Sequence, residues 1–355
     1  MKFHPSEDQL ALVDPVERYL RSACDMPRLR RAFEGDDAIR ADIWIGLCEL
    51  GLAGVMVPQS HGGLELSLFD VVLITERLGW WATPGPWPWH VLATMAIAEY
   101  GSTAQKSEWL PRLATGEIVG VCAFAEGDRW DPETWTLHSG DGVSGSKDYV
   151  PALHHADVCV LGLAEGRLGL VDLNGPGLEL EPWASTDLTR PVGQLRLSQA
   201  KVDPLPFGGG TEIFDAALTL LAADAHGGCQ RMLEDIVEYS KMRVQFGRPI
   251  GSFQAVKHTL ADLALSIEPN ATLAWHAARA FDERSGELRA AAATAKAHVT
   301  DTFADVARTA TESYGGIGYT WAHPAHIWLR RSIFDYACLG PPSHHRARLA
   351  DMLGW

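Results

Sequence analysis

The sequence predicts an α+β chain in three parts: helices, then a small β unit, then a long helical bundle. Three observations predict it. Charged, periodic stretches with helical spacing fill residues 1 to about 117. Short apolar runs separated by turn residues fill about 118 to 206. Apolar residues recurring every three to four positions return from about 207 to the end. The length of 355 residues fits two to three domains.

In the first part, Glu17 to Phe33 and Asp37 to Leu50 read as helices. So does Ser67 to Leu78, on the spacing of Leu68, Val71, Val72 and Ile74. Gly51, Pro58, Gly62-Gly63 and the Pro84 to Pro88 run punctuate them. Thr103 to Leu113 is a short helix closed by Thr115-Gly116. In the second part Val119 to Phe124 is an apolar run. Val158 to Leu163 and Leu168 to Leu173 flank a turn at Ala164 to Arg167. Leu195, Leu197 and Val202 mark a later strand, and Gly140, Gly142, Gly145 and Asn174 to Gly177 read as turns or loop. In the third part, Gly208-Gly209-Gly210 reads as a hinge-like linker. Phe214, Leu218, Leu221, Ala225, Cys229, Met232 and Ile236 then mark one long helix. Val256 to Ile267 is a second, ended by Pro269, and Leu288 to about Glu312 a third. A last stretch runs from His323 towards Leu339.

Composition narrows the function. Hydrophobic residues are 46% and charged residues 21%, ordinary globular values. Thirty Lys+Arg against 45 Asp+Glu leave a formal charge of −15, which argues against binding nucleic acid non-specifically. No window is apolar enough for a membrane span, and MKFHPSEDQLALVD lacks the pattern of a signal peptide. The six cysteines are scattered singly, which predicts reduced, mostly buried thiols and a cytoplasmic setting. His154-His155 and His344-His345 face no acidic ligands at metal spacing, so no metal is expected; they read as loop or interface residues.

Two segments carry chemistry. Arg243 to His258, RVQFGRPIGSFQAVKH, leaves one long helix, turns through Gly247, Pro249 and Gly251, and opens the next near Ser252 as N-cap. An Arg fork and a helix N-terminus suit an anion; Phe246 and Phe253 suit an aromatic ring, and Gln254 a polar edge. The bland reading is an interhelical turn with a surface Arg. Tyr314 to Thr320, YGGIGYT, puts glycines where a phosphate or ribose needs close backbone approach, or where a helix merely ends.

Together these two motifs resemble the acyl-CoA dehydrogenase family, and the resemblance extends over the whole chain. PQSHGGLELSLFDVVLITERLG is similar to its N-terminal helical domain, and CAFAEGD and GSKDYVP to its two flavin-facing β motifs. The resemblance implies an N-terminal α-domain (1–117), a central small β-barrel or sandwich domain (118–206) and a C-terminal four-helix bundle (207–355). It implies non-covalent FAD, a dimer or tetramer, acyl-CoA as substrate and an electron-transfer flavoprotein as acceptor. In the family a glutamate removes the α-proton while the β-hydride goes to flavin. Carried over, Arg243, Gln245, Phe246, Gln254, Gly315 and Gly316 touch FAD held chiefly by the neighbouring subunit.

This sequence also departs from the family pattern. Counting from Gly315 without gaps, the catalytic Glu falls on Leu339; the early position used by some members falls on Ala217, followed by Leu218. Neither side chain accepts a proton, and thioester α-protons need a positioned base. The nearest acids are Asp215, Glu212 and Asp335, with Asp215 the weak candidate for a displaced base. Ala125 stands where the family has Thr or Ser, Tyr149 where it has Trp, Pro151 where it has Thr or Ser, and Glu312 where it has Gln. The groups given to a partner are kept, and those serving the chain's own flavin are worn. Actinobacterial steroid-degrading enzymes of this family are α2β2 heterotetramers, and the chain resembles the subunit without the base. Two other readings are a self-sufficient homomer with an unusual base and a non-catalytic scaffold.

Overall fold

The computed structural model describes residues 4–355. Its first part holds α1 (Glu7–Ala23), α2 (Met26–Phe33), α3 (Asp37–Glu49), α4 (Leu68–Trp80), α5 (Trp87–Tyr100) and α6 (Thr103–Thr115). Local chemistry sets most of these starts. Ser6, Asp25, Asp36, Ser67 and Ser102 each accept a backbone N–H three residues on, satisfying a donor the helix cannot. Asp25 is why Glu17 to Phe33 is two helices rather than one: its cap opens α2 just after α1 ends. The Pro84 to Pro88 run starts a helix, since Pro88 sits in the first turn of α5, where its missing N–H costs nothing.

The middle part is one curled sheet of β1 (Gly120–Ala123), β2 (Gly140–Pro151), β3 (Val158–Leu163), β4 (Arg167–Asp172), β5 (Leu178–Trp183) and β6 (Val192–Pro204). The order is β1-β3-β4-β6-β2, with β5 also paired to β6; only the β1–β3 pair is parallel. Asp148 N donates to Ala125 O at 2.9 Å, which ties β2 to the end of β1 and curls the sheet. Gly140, Gly142 and Gly145 are not turns but lie inside β2. All three have positive φ, and the β2–β6 register shifts around them, so they absorb bulges in a mostly exposed strand.

The last part holds α7 (Gly210–Met242), a hairpin of β7 (Val244–Gln245) and β8 (Arg248–Pro249), α8 (Gln254–Ile267), α9 (Asn270–Asp282), α10 (Leu288–Ser313), α11 (Ala325–Ala337) and α12 (Pro342–Leu353). Helix α9 follows Pro269 directly, and α12 lies beyond the last stretch read from sequence. Gly208 to Gly210 is no loose hinge: Gly210 is buried in the first turn of α7, where a Cβ would lie 2.3 Å from Gly166 O. Helices α4 and α7 touch backbone to backbone. A Cβ at Gly227 would meet Glu76 O at 1.9 Å, and one at Gly79 would meet Asp224 O at 2.1 Å.

Candidate active site

The two C-terminal motifs lie at one end of the bundle. Tyr239 near the end of α7 donates its hydroxyl to Tyr314 O at 3.3 Å, and the two rings pack edge to face at 5.0 Å. Beyond them the chain stands free. Every residue from Lys241 to Pro249 is exposed, as are Gln254, Gly315 and Gly316. Phe246 is 92% exposed at φ 52°, sharing with Gly247 the two-residue turn of the hairpin. Arg248 lies over the Phe253 ring at 4.1 Å, and Arg243 has no ion-pair partner among the described residues. A Cβ at Gly315 or Gly316 would meet nothing within 4 Å. Ser252 does not cap α8; its hydroxyl donates to Pro249 O, and Phe253 occupies the cap position.

A second site lies between the sheet and α11. Trp130, Tyr149, Thr186, Val192, Phe334 and Cys338 are among the residues lining a cleft of about 310 Å3. Tyr149, at φ 53°, packs against Trp183 at 5.1 Å and Trp130 at 5.5 Å. So the structure brings the second β motif beside the 338–340 turn. That turn is held from within the protein. The fully buried Lys296 donates to Asp335 O, Tyr336 O and Gly340 O at 2.7, 3.1 and 3.1 Å. Burial lowers the Lys296 pKa to about 8. His345, also buried, contacts Leu339 O at 3.0 Å, and Leu339 itself is buried at φ 60°. His344 lies 2.9 Å from Asp131, so this His pair belongs to α12 rather than to a loop.

Of the acids named above, Asp335 and Asp215 each face an arginine, while Glu212 has no ion-pair partner among the described residues. Asp335 is buried and paired with Arg190; burial pushes its carboxyl well above the usual range. Burial would also raise Asp224, but Arg190 and Arg331 outweigh it and hold its pKa at about 2. Arg331 grips Asp224 with two bonds of 2.8 and 2.7 Å. Asp215 is buried on α7, 3.1 Å from Arg348, with its Oδ2 unpartnered. Burial raises its pKa to about 6. Glu126 pairs with Lys147 at 2.6 Å inside the sheet. Ala217 faces a gap between α5 and α7 of about 10 Å3, walled by Trp89, Leu220 and Arg190, with room for about one water. The buried cluster of Arg190, Asp224, Arg331 and Asp335 had no signature in the sequence, because its members are scattered from 190 to 335.

Family models describe this architecture. The N-terminal domain model of the acyl-CoA dehydrogenases matches residues 6–117 and the C-terminal domain model matches 211–354. The chain belongs to the acyl-CoA dehydrogenase family. It is 34% identical to acyl-CoA dehydrogenase FadE34 of Mycobacterium tuberculosis over 92% of this chain, yet spans only 45% of that protein's length. It is 30% identical to acyl-CoA dehydrogenase IpdE2 of the same organism, covering 97% of each. Among solved structures, a chain of a Tcur3481-Tcur3483 steroid ACAD variant superposes with a TM-score of 0.90, covering 98% of each chain at 29% identity.

FAD is the cofactor of acyl-CoA dehydrogenases, and relatives of this fold are solved as FAD complexes. The cleft at Tyr149 fits the flavin ring system: it has aromatic walls, an apolar floor and a volume within the range of ligand pockets. Pro151 brings no N–H to it. The exposed motif lies far along the bundle from the gap at Ala217 and from the 338–340 turn. Arg243 is 26 residues beyond Ala217 along α7, about 39 Å at the helical rise. Gly315 follows the end of α10, and Lys296, which holds the 338–340 turn, lies about 25 Å back along that helix. No helix among the described residues is long and apolar enough to cross a membrane.

Proposed function

We propose that this chain is the base-lacking subunit of an FAD-dependent acyl-CoA dehydrogenase, assembled as α2β2 with a second family member that carries the catalytic Glu. Bound FAD supplies the hydride acceptor. The chain's own residues complete the partner's cofactor site: Arg243 pairs with pyrophosphate, Gln245 and Gln254 hydrogen-bond, and Phe246, Gly315 and Gly316 give it a close apolar and backbone surface. The observation that carries the reading is the pairing of a fully exposed Arg243–Pro249 hairpin with a closed, base-free gap at Ala217. Leu339 and Ala217 have no lone pair to accept a thioester α-proton. The steroid ACAD likeness favours bulky acyl-CoA thioesters such as steroid side-chain esters as the substrate of the assembly, with an electron-transfer flavoprotein as acceptor.

One observation favours a second reading, a homomeric enzyme that uses Asp215. Its pKa of about 6 is that of a working base, and one oxygen is unpartnered. Its burial and its Arg348 partner tell against that role. A scaffold without turnover is the third reading. Purification alone and with a candidate partner, with flavin absorbance and turnover measured, separates the three. Flavin and activity only in the mixed complex support the proposal. A yellow, active homo-oligomer supports Asp215, and no flavin in either preparation supports the scaffold.

A further inference from the structure

A second cavity, open at one side, lies apart from the flavin cleft. It is a cavity of about 350 Å3 between α3, the turn before α5, and the sheet. The backbone of 149–152 and 189–192 separates the two. Tyr149 and Val192 line the flavin cleft, whereas Ala152 and Pro191 line this cavity. We propose that this cavity binds a compact apolar carboxylate, an alicyclic or branched acid, with Arg40 taking the head group.

The body of the cavity is apolar and shaped by rigid rings. Trp44, Pro86 and Pro191 bring their rings to its lining. Two left-handed residues keep the wall open. Gly85, at φ 116°, has nothing within 4 Å of where a Cβ would lie. Ala152 holds φ 55°, a conformation that costs a non-glycine residue energy and is fixed here by its N–H bond to Pro191 O at 2.8 Å.

The polar groups select the head. A guanidinium has five N–H donors. Three bonds hold Arg40 in place, to Ala32 O, Asp37 Oδ1 and Leu188 O, each 2.9 Å. Two donors remain on a side chain that is only 16% exposed. Thr189 offers little, because its hydroxyl donates to Asp187 at 2.7 Å and accepts from Arg331 at 2.9 Å. One N–H on each terminal nitrogen is left to meet the oxygens of a carboxylate. Asp37, paired with Arg40 at 2.9 Å, opposes a doubly charged phosphate more strongly than a singly charged carboxylate. His155, exposed at the rim, adds one more polar contact.

This proposal does not rest on the flavin reading, and its test does not use turnover. The protein, in whichever oligomer it purifies, is titrated by calorimetry with adamantane carboxylate and with the neutral alcohol adamantane methanol. The expected result is one carboxylate per chain, bound about tenfold tighter than the alcohol. Arg40→Gln removes that preference while alcohol binding persists. Because this change also deletes three structural bonds, Ala41→Trp provides the second arm: Ala41 is exposed at the mouth, and an indole there blocks both probes. A preference that survives Arg40→Gln, binding that survives Ala41→Trp, or no binding of either probe at millimolar concentration overturns the proposal.

Discussion

Lys296 shows how much one side chain decides near the site. Burying an ammonium is costly unless its donors are met, and here three carbonyls at the end of α11 and in the next turn meet them. Lys296→Met leaves those acceptors without a donor. We expect a loss of about 2–4 kcal/mol in urea unfolding, with the 338–340 turn loosened. Asp215 decides between the readings of function. With the base on the partner, Asp215→Asn leaves turnover of the mixed complex within about twofold; if Asp215 is itself the base, the loss is about a hundredfold or more. Phe246 gives the opposite signature. At 92% exposure its change to Ala alters the melting free energy by less than about 0.5 kcal/mol, and the complex is expected to hold FAD about tenfold more weakly.

At the scale of elements, α7 is the axis of the molecule. Its first half is buried against α4, α5 and α10, and its far end carries the exposed hairpin. The approach of α4 and α7 leaves no space for a methyl group at Gly227. Gly227→Ala therefore forces the two backbones apart, and we expect a destabilisation of about 1–3 kcal/mol in thermal or urea unfolding. Ala at an open glycine such as Gly316 meets no such wall, and we expect it to cost far less.

For the whole molecule, buried titratable groups set the pH range of stability. Burial lowers His90 and His226 to about 4 and His345 to about 3. The unfolded chain protonates these imidazoles below about pH 6.5 while the folded one keeps them neutral. The contribution of these imidazoles to stability therefore falls as pH drops from about 6.5 towards 4, the three together taking up close to three protons on unfolding. Glu76 acts in the other direction. Burial raises its pKa to about 8, against the hydrogen bond from Trp275, so the folded state keeps its proton after the unfolded chain has released it. Its contribution erodes as pH rises from about 4.5 to 8. Glu76→Gln keeps an acceptor for Trp275, and the variant should gain stability over the parent progressively across that window. Unfolding of both proteins between pH 5 and 8 checks this; parallel curves would count against a protonated Glu76.

The helical, β and helical order was legible because periodicity, caps and glycine turns are local. Ser67, Ser102 and Gly116 act where they stand in the chain. The exposed motif was legible for a similar reason: Arg243, Phe246 and Gly315 are set by short turns whose chemistry is read along the backbone. Local reading failed where distant residues act on one another. Gly140 to Gly145 read as turns, yet pairing with β6 makes them bulges in a strand. Gly208 to Gly210 read as a hinge, yet Gly166 packs against it. Only the tertiary structure assembled Arg190, Asp224, Arg331 and Asp335 into one buried cluster, closed the gap at Ala217, and opened a cavity beside Arg40. Those outcomes depend on desolvation and contact between segments far apart in sequence, which no spacing along the chain encodes.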